Sequence, residues 1–183
     1  MNVLPNILIL LAAMLVVFGQ SAFSWLRQLI GVQLDLLPAL MVYTALSASP
    51  FMMITLAVVG GVFFDTLSVN PLGTSVLPLL IIGFLIQIRR DLLLSNQVYA
   101  QCVLGLIASA VAPAISILIL LTLGKSPLLG WGSLWQWFVM SVGGSVATPI
   151  LFSLFGRLNH ALGYQRVTES SFRADREIRR GRN

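Results

Sequence analysis

Residues 1–156 carry seven charged side chains: Arg27, Asp35, Asp65, Arg89, Arg90, Asp91 and Lys125. Residues 157–183 carry ten. This partition restricts the possible folds more than any other feature of the chain. Soluble domains hold about 25% charged residues, whereas this chain has 9%, against 57% hydrophobic residues. A water-soluble globule built from it would have almost nothing to present to water, so hydrocarbon must be its solvent. A span takes about 20 apolar residues. The 183 residues therefore suit one all-α membrane domain of five or six spans, with no room for a soluble domain.

Several classes are excluded early. Cys102 is the only cysteine, so no intramolecular disulfide can form. The net charge of +5 does not point to nucleic acid, because the surplus sits at the end of a membrane chain and not on a folded basic face. Residues 1–24 lack an early Lys or Arg and a clear A-x-A site, and read as a retained first span. No His/Cys cluster suggests a metal, and no G-x-x-x-x-G-K-[ST] suggests a nucleotide. No cofactor is expected.

Hydropathy and helix breakers divide the chain into six expected spans: about residues 3–24, 34–48, 51–69, 74–88, 97–123 and 133–156. Ser49-Pro50 separates the second from the third, since proline has no amide proton and clashes with the preceding turn. Asn70-Pro71-Leu72-Gly73 reads as a tight turn. The second and fourth spans are too short for a hydrocarbon core of about 30 Å. They must extend into polar flanks or be shielded by longer neighbours.

Six spans put both termini on one side. Arg89, Arg90 and seven arginines from Arg157 onward share one set of ends; Arg27 and Lys125 are at the other. Cytoplasmic loops collect Lys and Arg, so the termini are expected in the cytoplasm. Trp25, Trp131, Trp135 and Trp137 then fall at or near the outer edge. Residues 1–158 form the expected membrane domain. Residues 159–183, with Arg173, Arg176, Arg179, Arg180 and Arg182, form a basic cytoplasmic tail that orients the chain and contacts anionic membrane lipids.

Asp35 and Asp65 are the most unusual side chains, both toward the outer side. A carboxylate within a span is expensive and usually faces the bundle interior. Arg27 is on the same side and can pair with either. The alternative to an ion site is structural: Asp35 can accept amide hydrogen bonds at the start of the second helix, and Asp65 can hold the turn ending at Gly73. Ala57, Gly61 and Asp65 recur every four residues and share one helix face. Small residues at this spacing let backbones approach closely, so the face reads as a helix seam, internal or to another chain. Ala108, Ala112 and Ser116, with Gly143 and Ala147, repeat the spacing in the fifth and sixth spans. Pro113 and Pro149 free carbonyls at Ser109 and Ser145 and read as packing kinks.

Enzymatic function is disfavoured. Serine hydrolysis needs an adjacent base. Ser145 follows Gly143-Gly144, but His160, the only histidine, falls about 20 Å away by helical rise.

The run Gly31 to Leu46, with Asp35-Leu36-Leu37-Pro38 and Tyr43, resembles the second span of the MreD family of rod-shape-determining membrane proteins. Gly60-Gly61-Val62-Phe63-Phe64-Asp65, followed by Pro71-Leu72-Gly73, is similar to that family's G-x-x-x-D segment and its Leu-Gly turn. The likeness covers residues 1–125 in order and hydropathy and is sharpest over Asp35–Gly73. Two departures stand out: Leu34, not proline, precedes Asp35, and the arginine-rich tail follows no family pattern. The resemblance implies a non-enzymatic scaffold of the bacterial inner membrane. Such a protein would bind MreC and, through it, work with MreB, RodA and a penicillin-binding transpeptidase in lateral-wall elongation. It also implies a fold similar to the six-helix S-components of energy-coupling-factor transporters. The rival expectation is a small-molecule-binding subunit of a vitamin transporter, with an outward polar cavity near Trp25, Asp35 and Asp65. On the scaffold reading, Asp35, Ala57, Gly61, Asp65, Pro71 and Gly73 are the candidate interface or fold-critical positions.

Overall fold

The computed structural model describes residues 3–22, 35–68, 71–90, 97–124 and 130–161. Among these residues the chain forms six helices: α1 (Val3–Ala22), α2 (Leu37–Ser47), α3 (Pro50–Leu67), α4 (Val76–Ile88), α5 (Val98–Thr122) and α6 (Trp131–Ala161). Three of them are long and apolar enough to cross a membrane, namely α3, α5 and residues Trp131–Asn159 of α6. Shorter apolar stretches are Asn6–Gln20 in α1, all of α2 and all of α4. The protein is all-helical and has the marks of a membrane protein.

The shortest helix is at the centre. α2 packs against α1, α3, α4, α5 and α6. Every residue from Leu37 to Leu46 is buried. A helix that is apolar on all sides must be enclosed on all sides, and this one is enclosed by protein. Its 11 residues span about 16 Å at the usual rise, which needs no contact with lipid. Of the two ways to accommodate a short apolar segment, α2 uses longer neighbours.

The local breaks follow from side-chain chemistry. Ser49 is extended (φ −74°, ψ 155°) and its side chain accepts a hydrogen bond from the Met52 amide at 3.4 Å. Pro50 occupies the first helical position of α3, where a missing amide proton is harmless. The proline that ends α2 therefore starts α3. Tyr43 then fixes α2 against α6. Its ring stacks on Phe155 with centroids 4.5 Å apart and meets Phe152 edge-on at 4.9 Å.

The other helices bury one stripe and expose another. On α1, Ile9, Ala13 and Val17 face inward at intervals of four, while Ile7, Leu11, Leu15 and Phe18 are exposed. On α4, Leu79, Ile82 and Ile86 are buried, and Leu77, Phe84, Leu85 and Ile88 are exposed. Continuous apolar surface of this kind marks contact with lipid or another protein.

The boundaries differ from the sequence expectation in two instructive places. α2 starts at Leu37, not 34, and Asp35, two residues before it, accepts a hydrogen bond from the Leu37 amide. α6 runs from Trp131 to Ala161 and so continues past residue 156. The 158/159 boundary thus falls inside a helix. Arg27, Trp25 and the tail arginines Arg173, Arg176, Arg179, Arg180 and Arg182 lie outside the described residues.

Candidate functional site

Asp65 occupies the last turn of α3 and is 1% exposed. Its Oδ2 accepts hydrogen bonds from the Gly73 amide at 2.8 Å and the Ser75 amide at 3.1 Å. One oxygen therefore staples the turn between α3 and α4. The turn is tightened by Thr74, whose amide and hydroxyl both donate to the Pro71 carbonyl, at 3.2 and 2.7 Å. Gly73 adopts φ +91°, a left-handed conformation that side chains with a Cβ resist. Pro71 and Gly73 are thus parts of one device that Asp65 completes. Of the roles open to Asp65 in the sequence, turn-holding matches this geometry.

Asp35 precedes α2 and is half-buried. Its Oδ1 accepts from the Leu37 amide at 2.9 Å, satisfying one donor at the helix start. The two acids thus share the end of the bundle formed by the start of α2, the end of α3 and the turn after it. Among the described residues, the buried Asp65 Oδ1 has no hydrogen-bond partner. The same is true of both side-chain polar atoms of Gln20, in the last turn of α1. Gln20 was not singled out in the sequence; only its being the one amide side chain in that apolar helix's final turn hinted at it.

Below Asp65 on the same face, Gly61 lies against α4. A Cβ there would come within 2.8 Å of Val76 Cγ2 and 3.0 Å of the Val76 backbone. Ala57, one turn further, is fully buried. The Ala57–Gly61–Asp65 face is therefore buried inside the molecule, with Gly61 against α4. Neighbouring Gly60 differs: its added Cβ would meet Leu37 at an ordinary 3.6 Å.

A second seam joins α5 and α6. Gly105 faces Gly144 and Thr148, and Gly144 faces Ser109, so closely that neither glycine has room for a side chain. The Thr148 hydroxyl donates to the Gly144 carbonyl at 2.8 Å. Ala108 and Ala112 are buried, as a seam requires, and Ser116 is half-buried. On α6 the contact residues are Gly144 and Thr148, not the expected Gly143 and Ala147; the correction is one residue. Both pairs have the small-xxx-small spacing, and only packing against α5 chooses between them. Trp137 adds a polar tie, its indole N–H donating to the Ala110 carbonyl at 2.7 Å. Residue order shows α5 and α6 to be antiparallel, since 105 meets 148 while 110 meets 137.

The opposite end of the bundle is basic. An Arg90 guanidinium nitrogen donates to the Ala48 carbonyl at 3.3 Å, tying the end of α4 to the α2–α3 corner. Among the described residues, no group of three or more His, Cys, Asp and Glu is placed to hold a metal ion. Ser145 and His160 stand on the continuous helix α6, which separates them by about 22 Å along its axis. No family model, curated protein or solved structure matches this chain.

Proposed function

We propose that this protein is a non-enzymatic scaffold of the bacterial inner membrane, acting in cell-wall elongation as MreD proteins do. On this reading the six helices form one membrane-embedded bundle with α2 enclosed at its centre, the termini are cytoplasmic, and MreC is the direct partner. MreB, RodA and a penicillin-binding transpeptidase are then engaged through the complex. The observation that carries the proposal is how Asp65 is used. In Gly61-x-x-x-Asp65, the feature that most resembles the family's signature, the glycine admits the α4 backbone and the carboxylate fastens the following turn. Both residues serve architecture. The exposed apolar faces of α1, α3, α4, α5 and α6 leave surface on which partner spans can pack.

The test is a pull-down of the tagged full chain from its native membrane in a gentle detergent, read by mass spectrometry. Recovery of MreC together with wall-synthesis enzymes is the expected result. Recovery of transporter ATPases and their membrane coupling subunit instead would replace the scaffold with the vitamin-transporter reading. One observation favours that second reading: the buried polar atoms of Gln20 and Asp65 that have no partner among the described residues. It predicts saturable thermal stabilisation by a micromolar vitamin, which a scaffold does not show.

A further inference from the structure

We infer that the corner between α2 and α3, together with the end of α4, binds the headgroup of an anionic phospholipid. The inference rests on membrane placement alone, not on the partners proposed above.

Charge is segregated along the bundle. Asp35 and Asp65, the acids among the described residues, are both at one end, beside the turn that Asp65 fastens. Arg89 and Arg90 are at the other end, where α4 stops beside the α2–α3 corner. Asp91 follows Arg90 in sequence and lies outside the described residues; among the described residues no other carboxylate is at this end. Arg90 is also held in place. Its hydrogen bond to the Ala48 carbonyl fixes one guanidinium nitrogen at the corner and leaves the rest of an exposed side chain outward. A planar guanidinium so positioned presents paired donors that match two phosphate oxygens. Arg89 is adjacent and exposed, and adds a second positive charge.

The flanks of this basic corner are apolar. Phe51 is 72% exposed one residue into α3, and Ile88 is 71% exposed just before Arg89. Exposed apolar side chains next to exposed arginines suit neither water nor hydrocarbon alone. They suit the boundary where a phosphate sits above acyl chains. The occupant that satisfies both features carries a negative phosphodiester and hydrocarbon on one molecule. A soluble phosphate supplies only the first, and a zwitterionic lipid offsets the charge with its own ammonium.

The experiment uses the purified full chain in mixed micelles with phosphatidylglycerol or phosphatidylcholine, read by native mass spectrometry. A variant with Arg157, Arg166, Arg173, Arg176, Arg179, Arg180 and Arg182 changed to Gln serves as the background, so that these arginines do not contribute. Phosphatidylglycerol is expected to be retained in preference to phosphatidylcholine. Arg90→Gln should weaken that retention about fivefold, the effect of one basic residue near an anionic headgroup. Phe51→Ala, at an exposed position that leaves the fold intact, should also weaken it. Excess glycerol phosphate should not displace the lipid. Equal retention of the two lipids overturns the site, as does wild-type retention by both variants. Displacement by glycerol phosphate would reassign the corner to free phosphate and overturn the lipid assignment.

Discussion

The two oxygens of Asp65 are in unlike situations. Oδ2 accepts two backbone amides from the turn, while Oδ1 is buried without a partner among the described residues. Removing the carboxylate strands the Gly73 and Ser75 amides, and a buried unsatisfied donor costs about 1–3 kcal/mol. Asp65→Ala should therefore destabilise the protein by about 2–4 kcal/mol. Asp65→Asn keeps an oxygen for the two amides and places a donor where Oδ1 stands unpartnered. It should stay within about 1 kcal/mol of the wild type. Detergent-solubilised unfolding curves measure both. Equal damage by the two substitutions would mean that the negative charge itself, and not the acceptor, holds the turn. The turn role of Asp65 was among those readable from the sequence, because an acid six residues before a Pro-Leu-Gly turn has an obvious task. The orphaned Oδ1 was not readable, since it depends on which side chains surround it.

At the scale of elements, adjacent glycines on α3 have opposite duties. Gly61 faces the Val76 backbone with no room for a methyl group, whereas Gly60 faces the yielding end of the Leu37 side chain. Gly61→Ala forces α3 and α4 apart and should destabilise by about 1–3 kcal/mol, the usual penalty for overpacking. Gly60→Ala introduces a better helix former into ordinary contact and should stabilise by up to about 1 kcal/mol. Thermal unfolding of the two single variants checks the contrast, and the same sign for both would refute the assigned packing. The spacing of Ala57, Gly61 and Asp65 placed one seam in the sequence. For α5 and α6 spacing was ambiguous between neighbouring registers, and side-chain volume across the interface selected Gly144 and Thr148. α2 shows the same boundary differently. Its apolar, non-periodic composition reads as a span, yet its enclosure by five helices depends on residues far away in sequence.

For the molecule as a whole, polarity along the bundle axis is the organising feature. The acidic pair is at one end and Arg89 and Arg90 at the other, and the proposed orientation, with the basic end in the cytoplasm, is the one the positive-inside rule favours. Topology can be tested with single cysteines on a Cys102→Ala background. Ser171→Cys, in the tail, should be unreactive to an impermeant maleimide in intact cells and reactive after permeabilisation. Ser126→Cys, beside Lys125, should react in intact cells. Labelling of Ser171→Cys from outside would invert the orientation and remove the geometric basis for the proposed scaffold.

What the sequence alone determined is the solvent. Seven charges in 156 residues leave no way to face water, because transfer free energies simply add along the chain. It also determined the breaks at Pro50 and the Asn70–Gly73 turn, which are local backbone effects. Tertiary structure alone decided that the shortest apolar segment is the core, that Gly61 rather than Gly60 is the close contact, and that Arg90 is pinned at the α2–α3 corner. Each of these depends on contact between segments distant in the chain, where shape excludes all but one arrangement and composition carries no information about shape.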